Sequence, residues 1–198
     1  MESRIEELKA AVQQSLPQVE ELYTQSALRI LARYVAAIEP NFTYWMAAAA
    51  VAAKSVQGRY AALENLEVEI RDDHRGMLRK FFSQTREYVL RTDYGSVAPY
   101  VEDLHALVRT LNGTANLAVM ALPENTSAVF IPWIEKLAMK LGVKDLTYTK
   151  IHGETDIGHA KQFVWALEHE AENDPVATEN IDRAALVVHE LLLRIFRQ

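Results

Sequence analysis

Apolar residues recur along this chain at intervals of three and four, and strand-like alternation is almost absent. That spacing puts them on one face of a helix. Ile5, Leu8, Val12 and Leu16 form a first stripe that stops at Pro17. Leu22, Leu28, Leu31, Val35 and Ile38 predict a second helix from about Gln18, closed by Glu39-Pro40. Asn41-Phe42-Thr43 offers an N-cap for a long third helix through the Ala-rich stretch toward Asn65. Arg71-Asp72-Asp73 reads as a break or a fresh N-cap, followed by a helix from His74 to about Leu90. Thr92-Asp93-Tyr94-Gly95 reads as a loop, and Val101 to Leu111 as a helix closed by Asn112-Gly113. The apolar stretch Ala115 to Leu122 is interrupted at Pro123, and Phe130 to Leu141 is helical, with Gly142 after its end. Lys144 to about Glu172 makes one long helix, broken by Asn173-Asp174-Pro175, and Val176 to Arg197 a strongly amphipathic last one. About seven or eight helices and no strand predict an all-α fold, with residues 1–198 forming one domain.

Composition narrows the functions. Of 198 residues, 49% are hydrophobic and 24% charged, the balance of a globular chain with a full core. A net charge of -6 with no dense Lys/Arg cluster argues against a nucleic-acid partner. The absence of cysteine removes disulfides, thiolate metal sites, Fe–S clusters and Cys nucleophiles. The start, Met1-Glu2-Ser3-Arg4-Ile5-Glu6-Glu7, lacks the basic and apolar parts of a signal peptide. The longest apolar run, Tyr44 to Ala53, is about half of the ~20 residues that span a bilayer. The expectation is a cytoplasmic protein with no membrane partner.

The chemistry concentrates in Lys150-Ile151-His152-Gly153-Glu154-Thr155-Asp156-Ile157-Gly158-His159. On a helix the offsets bring His152, Asp156 and His159 to one face. Imidazole with carboxylate is the ligand chemistry of non-haem iron, manganese and zinc. The competing reading is a solvated helix face. The apolar flanks Ile151, Ile157, Phe163, Val164 and Trp165 favour ligands. Gly153 and Gly158 each cost about 1 kcal/mol in a helix relative to Ala, so they imply a close approach or a helix that must deform. Deformation matters, because the two histidines lie roughly 10 Å apart along an ideal helix.

Three ligands need partners from elsewhere. Leu63 to His74 holds five carboxylates and a histidine, and Glu67 and His74, one heptad apart, could share a face. Alone, such a stretch is more often a charged helix end. Glu124, inside an apolar surround, is either a ligand or a carboxylate favoured by a helix N-terminus. His105, His169 and His189 sit in surface-like or amphipathic contexts, and Glu168-His169-Glu170 reads as a solvated face. Tyr148, one turn before His152, is a candidate for redox participation, whereas Tyr44, Trp45, Tyr60, Phe130 and Trp133 read mainly as packing.

These residues resemble the haem-oxygenase-like di-iron oxidase and oxygenase superfamily, especially its CADD-like branch. The likeness rests on Glu67 followed by His74, on the His152, Asp156, His159 triplet with Tyr148 before it, and on the helix order over roughly residues 18 to 195. It implies a bundle of about seven helices on the TenA/PqqC-like scaffold, without haem, holding two iron ions or an Fe/Mn pair. By position, the implied ligands are Glu67, His74, His152, Asp156 and His159. Glu124 is the nearest acid to the bridging position, with an imperfect register and Pro123 before it.

The resemblance implies an O2-dependent oxidase or oxygenase acting on a small molecule, with electrons from an external donor or the substrate, and a homodimer. Three other functions fit the same chain. One is a CADD-like, self-sacrificing p-aminobenzoate synthase, whose sacrificial tyrosine has no secure counterpart here. Another is a cofactor-free PqqC-like oxidase using His152 and His159 as acid and base. The third is a non-catalytic helical interaction protein. A thiaminase-like hydrolase is disfavoured because it would need a cysteine nucleophile.

Overall fold

Nine α-helices make up the described residues of the computed structural model, 2–85 and 93–197, with only the backbone described for Glu2 and residues 154–157. They are α1 (Glu2–Ser15), α2 (Thr24–Ile38), α3 (Phe42–Ala52), α4 (Val56–Arg71), α5 (His74–Ser83), α6 (Tyr94–Val108), α7 (Gly113–Lys140), α8 (Thr147–Ala171) and α9 (Ala177–Phe196). One 3-10 turn, Val19–Glu21, precedes α2. No strand occurs among the described residues, so the all-α expectation holds.

The expected third helix is two helices. Ala53, with ψ 129°, and Ser55, with ψ 149°, are extended. Glu170, on α8, stabilises that break. Its carboxylate accepts from Lys54 N and Ser55 N, each at 2.8 Å, and from Ser55 Oγ at 2.6 Å. Ser55 Oγ in turn accepts from Gly58 N and caps α4. Glu170 is therefore buried, not part of a solvated face as its neighbours in sequence suggest. Gly113 lies against the same carboxylate, and any Cβ there would collide with it.

Two expected pieces are instead one. Pro123 and Pro132 both lie inside α7, which runs unbroken for 28 residues. Its N-terminus is capped by Asn112, whose Oδ1 accepts from Ala115 N at 2.8 Å. A proline inside a helix costs about 3 kcal/mol. Leu117, Met120, Leu122, Ile134 and Leu137, each at most 1% exposed, offset more than the two prolines together at roughly 1.5–3 kcal/mol apiece. α7 is the axis of the core and packs against α8, α9, α1 and α3. It is also the one helix among the described residues long and apolar enough to cross a membrane, although 67% of its apolar window is buried within the protein.

A sharp corner links α4 to α5. Asp73 adopts the left-handed conformation, φ 50°, and caps α5 by accepting from Gly76 N at 3.1 Å. The corner turns α5 back, so both helices face α8. α6 starts at Tyr94, inside the expected loop.

Candidate metal centre

α4, α5 and α8 bring three ligand-type side chains together. Glu69, His74 and His152 each offer an atom within 4.8 Å of the others, and all three are buried. His74 Nδ1 lies 2.8 Å from Glu69 Oε1. The His74 and His152 rings meet edge to face, centroids 4.7 Å apart. Their proximity follows from the Asp73 corner, which carries His74 back over the last turns of α4.

That corner also decides which glutamate arrives. Glu67 and His74 would share a face only on a continuous helix, and α4 ends at Arg71. Glu67 is exposed and does not join the cluster, while Glu69 is 5% exposed and does. Glu69 continues the buried face Gly58, Ala62, Asn65. The spacing Ala62, Asn65, Glu69 could have signalled this inner face, but its small and polar residues look less like a core than Leu63 and Ile70.

Glu124 comes from the middle of α7, 4% exposed, and not from a helix N-terminus. With Glu69, His74, His152 and Tyr148 it lines one cleft of about 620 Å³, open mouth included. Its Oε1 lies 3.9 Å from Nδ1 of His159, which is also buried. Glu124 thus shares a cleft with the cluster at one end and approaches His159 at the other. Asp156 lies on α8 between His152 and His159, but its side chain falls outside the described residues. A Cβ at Gly153 or Gly158 would meet nothing within 4 Å, so neither glycine is there for close packing.

Tyr148 is buried, with its ring 4.4 Å from that of His152. Its hydroxyl lies 2.7 Å from the hydroxyl of Tyr34, on α2. Tyr34 gave no sign in the sequence, because it sits among the apolar positions of an ordinary amphipathic helix. The cleft wall is largely apolar, including Ile38, Phe42, Leu78, Phe130, Ile131 and Leu192. At its more exposed edge, Glu39 Oε1 accepts from Arg75 Nε at 2.6 Å and Arg79 Nη2 at 2.5 Å. Burial raises the Glu39 pKa, but the two guanidiniums outweigh it and hold the group below its usual range.

The other histidines stay apart. His105 packs against Tyr44 and Trp45, the Nδ1 of His169 contacts the Trp165 carbonyl, and His189 lies on α9 facing α1. Of the aromatics considered for the pocket, Phe130 lines it, Tyr44 and Tyr60 are exposed, and Trp133 packs on Phe196.

Buried carboxylates are costly unless they are paired or bind a cation. Two such carboxylates beside three imidazoles form an all-N/O donor set that suits iron, manganese or zinc. No protein-family model, no curated protein and no solved structure matches the chain.

Proposed function

We propose that this protein is an O2-dependent oxidoreductase, an oxidase or oxygenase, with a non-haem centre of two iron ions or an Fe/Mn pair. The carrying observation is the buried convergence of Glu69, His74 and His152 within 4.8 Å. Those three would hold one ion. His159 would hold the other, with Asp156 from the same helix, and Glu124 would bridge. This ligand set differs from the one implied by the resemblance in taking Glu69 for Glu67. The all-helical architecture is consistent with a haem-oxygenase-like bundle that carries no haem.

The metal pair, when bound, supplies the one-electron chemistry that O2 requires and that ordinary side chains do not. The chain's own residues do the rest. Phe42, Phe130, Ile131 and Leu192 exclude water and hold an apolar small molecule in the cleft. Glu69, against His74 Nδ1, orients that ring. Tyr148, bonded to Tyr34, would hold a proton at its hydroxyl beside His152. Electrons come from an external donor or from the substrate.

The test is bound metal per chain after anaerobic Fe(II) loading and desalting. Wild type should retain about two irons, and His152→Ala should lose at least one of them. No retained metal in wild type would sink the reading. O2 uptake by the metal-stripped protein would point instead to cofactor-free oxidation.

A further inference from the structure

The mouth of the cleft is charged in a way its wall is not. Ile38, Phe42, Phe130, Ile131 and Leu192 make the wall apolar, while Glu39, Thr43 and Arg75 line the same space. Arg75 comes from the first turn of α5, directly after His74. Its side chain is 50% exposed, whereas that of His74 is 2% exposed. Arg75 therefore marks the solvent end of the cleft, and its neighbour in sequence marks the inner end.

Arg75 is only partly committed. Its Nε donates to Glu39 Oε1 at 2.6 Å, the one polar contact of this guanidinium among the described residues. Both Nη groups, donors in a planar fork, remain for a ligand. Glu39 does not depend on Arg75 alone, because Arg79 Nη2 donates to the same oxygen at 2.5 Å. Arg75 can thus turn toward a ligand while Glu39 stays paired.

We propose that the cleft takes an organic carboxylate, an apolar body with a single anionic head. The head pairs with Arg75 at the mouth, and the body runs inward along the apolar wall to the Glu69, His74 and His152 cluster. A planar carboxylate matches the guanidinium fork in a two-point contact. A single charge suits one guanidinium beside Glu39, whereas a doubly charged phosphate would repel that carboxylate more strongly. The reverse orientation would set the head against Glu69 and Glu124, two buried carboxylates, where like charges are poorly screened. The apolar end is therefore what the molecule presents to the centre. Glu39 and the ligand compete for the same guanidinium.

As the substrate class of the proposed oxidoreductase, such a molecule rests on that reading. Its binding is measured without iron, so the two fail separately. The probe is 4-phenylbutyrate, titrated calorimetrically into the metal-free full chain, with 4-phenylbutan-1-ol as its neutral counterpart. The carboxylate should bind at least about 10-fold more tightly than the alcohol. Arg75→Gln should weaken the carboxylate about 10-fold and leave the alcohol unchanged. Glu39→Gln should strengthen it about 3-fold by freeing the guanidinium, with helical circular dichroism unchanged. Lys80→Gln removes a positive charge from the same helix outside the cleft and should change binding by less than about 2-fold. Nuclear Overhauser contacts should join the phenyl ring, not the methylene beside the carboxylate, to the His152 ring. In zinc-loaded protein the Arg75 dependence should persist. Equal affinity for carboxylate and alcohol overturns the proposal, as does full binding by Arg75→Gln, unchanged or weaker binding by Glu39→Gln, or a head group found at His152. Iron retention without phenylbutyrate binding would remove this substrate class and leave the metal centre standing. Phenylbutyrate binding that depends on Arg75, without iron retention, would leave the carboxylate site standing and remove the oxidoreductase.

Discussion

Glu170 and the pair Glu69 and Glu124 are buried to the same degree, 5%, 5% and 4% exposed, yet they meet different partners. Glu170 is satisfied by two backbone N–H groups and a hydroxyl at the α3–α4 break. It meets no imidazole among the described contacts and acts as a splint between α8 and the start of α4. Glu69 lies against His74, and Glu124 approaches His159. A splint carboxylate takes donors whose positions the backbone sets. A carboxylate placed to bind a metal converges with other ligand-type atoms on a shared space, as Glu69 does with His74 and His152. Burial alone cannot separate the two roles; the chemistry of the partners does.

The strongest way to break this distinction is Glu69→Gln. It keeps the shape and an acceptor for His74 but removes the charge. Metal affinity should fall by at least about 100-fold, read by competition with a chelator, while the melting temperature of the metal-free protein stays within a few degrees. Unchanged affinity with a collapsed melting temperature would make Glu69 a second splint.

Glu170→Ala should do the reverse. Leaving the Lys54 and Ser55 N–H groups without their acceptor should cost about 3 kcal/mol. For a chain of this length that lowers the melting temperature by roughly 6–12 °C. Iron content at low temperature should not change, and its loss in step with the Glu69 variant would merge the two classes.

Glu39 provides the mildest contrast, a half-buried carboxylate held by Arg75 and Arg79. Its folded pKa lies below the usual value, so its contribution is fully present above about pH 4.5 and is lost as pH falls through the lowered folded value. Glu39→Gln should therefore flatten the acid limb of the stability curve, lowering stability near neutral pH by no more than about 1 kcal/mol and leaving it unchanged once pH has fallen below the folded value. An equally steep acid limb in the variant would assign it to other carboxylates.

Much of this was legible in the chain. Periodicity marked the helices, and the spacing of His152 and His159 marked the helix that brings two buried imidazoles to the candidate centre. His74 and Glu124 stood out as polar residues in the right company. Glu67 does not share a face with His74, because a heptad argument assumes a straight helix and the Asp73 corner breaks it. Tyr34 was invisible, because a tyrosine among apolar helix positions looks the same whether it packs or faces a cleft. The prolines of α7 and the Ala-rich run into α4 misled for a related reason. Local preference favoured a break at Pro123 and continuity through Ala53, while burial of α7 and the Glu170 contacts reversed both.

By itself, then, the sequence determined the helical architecture, the absence of thiol chemistry and which side-chain types were available for a site. These follow from residue identity and short-range spacing, which helix geometry converts directly into faces. Only the tertiary structure decided that Glu69 rather than Glu67 meets His74, that Glu170 is a splint, and that α4 leaves its large apolar residues uncovered. Each depends on how helices distant in sequence are turned against one another, and a rotation of half a turn, invisible in local pattern, exchanges a buried face for an exposed one.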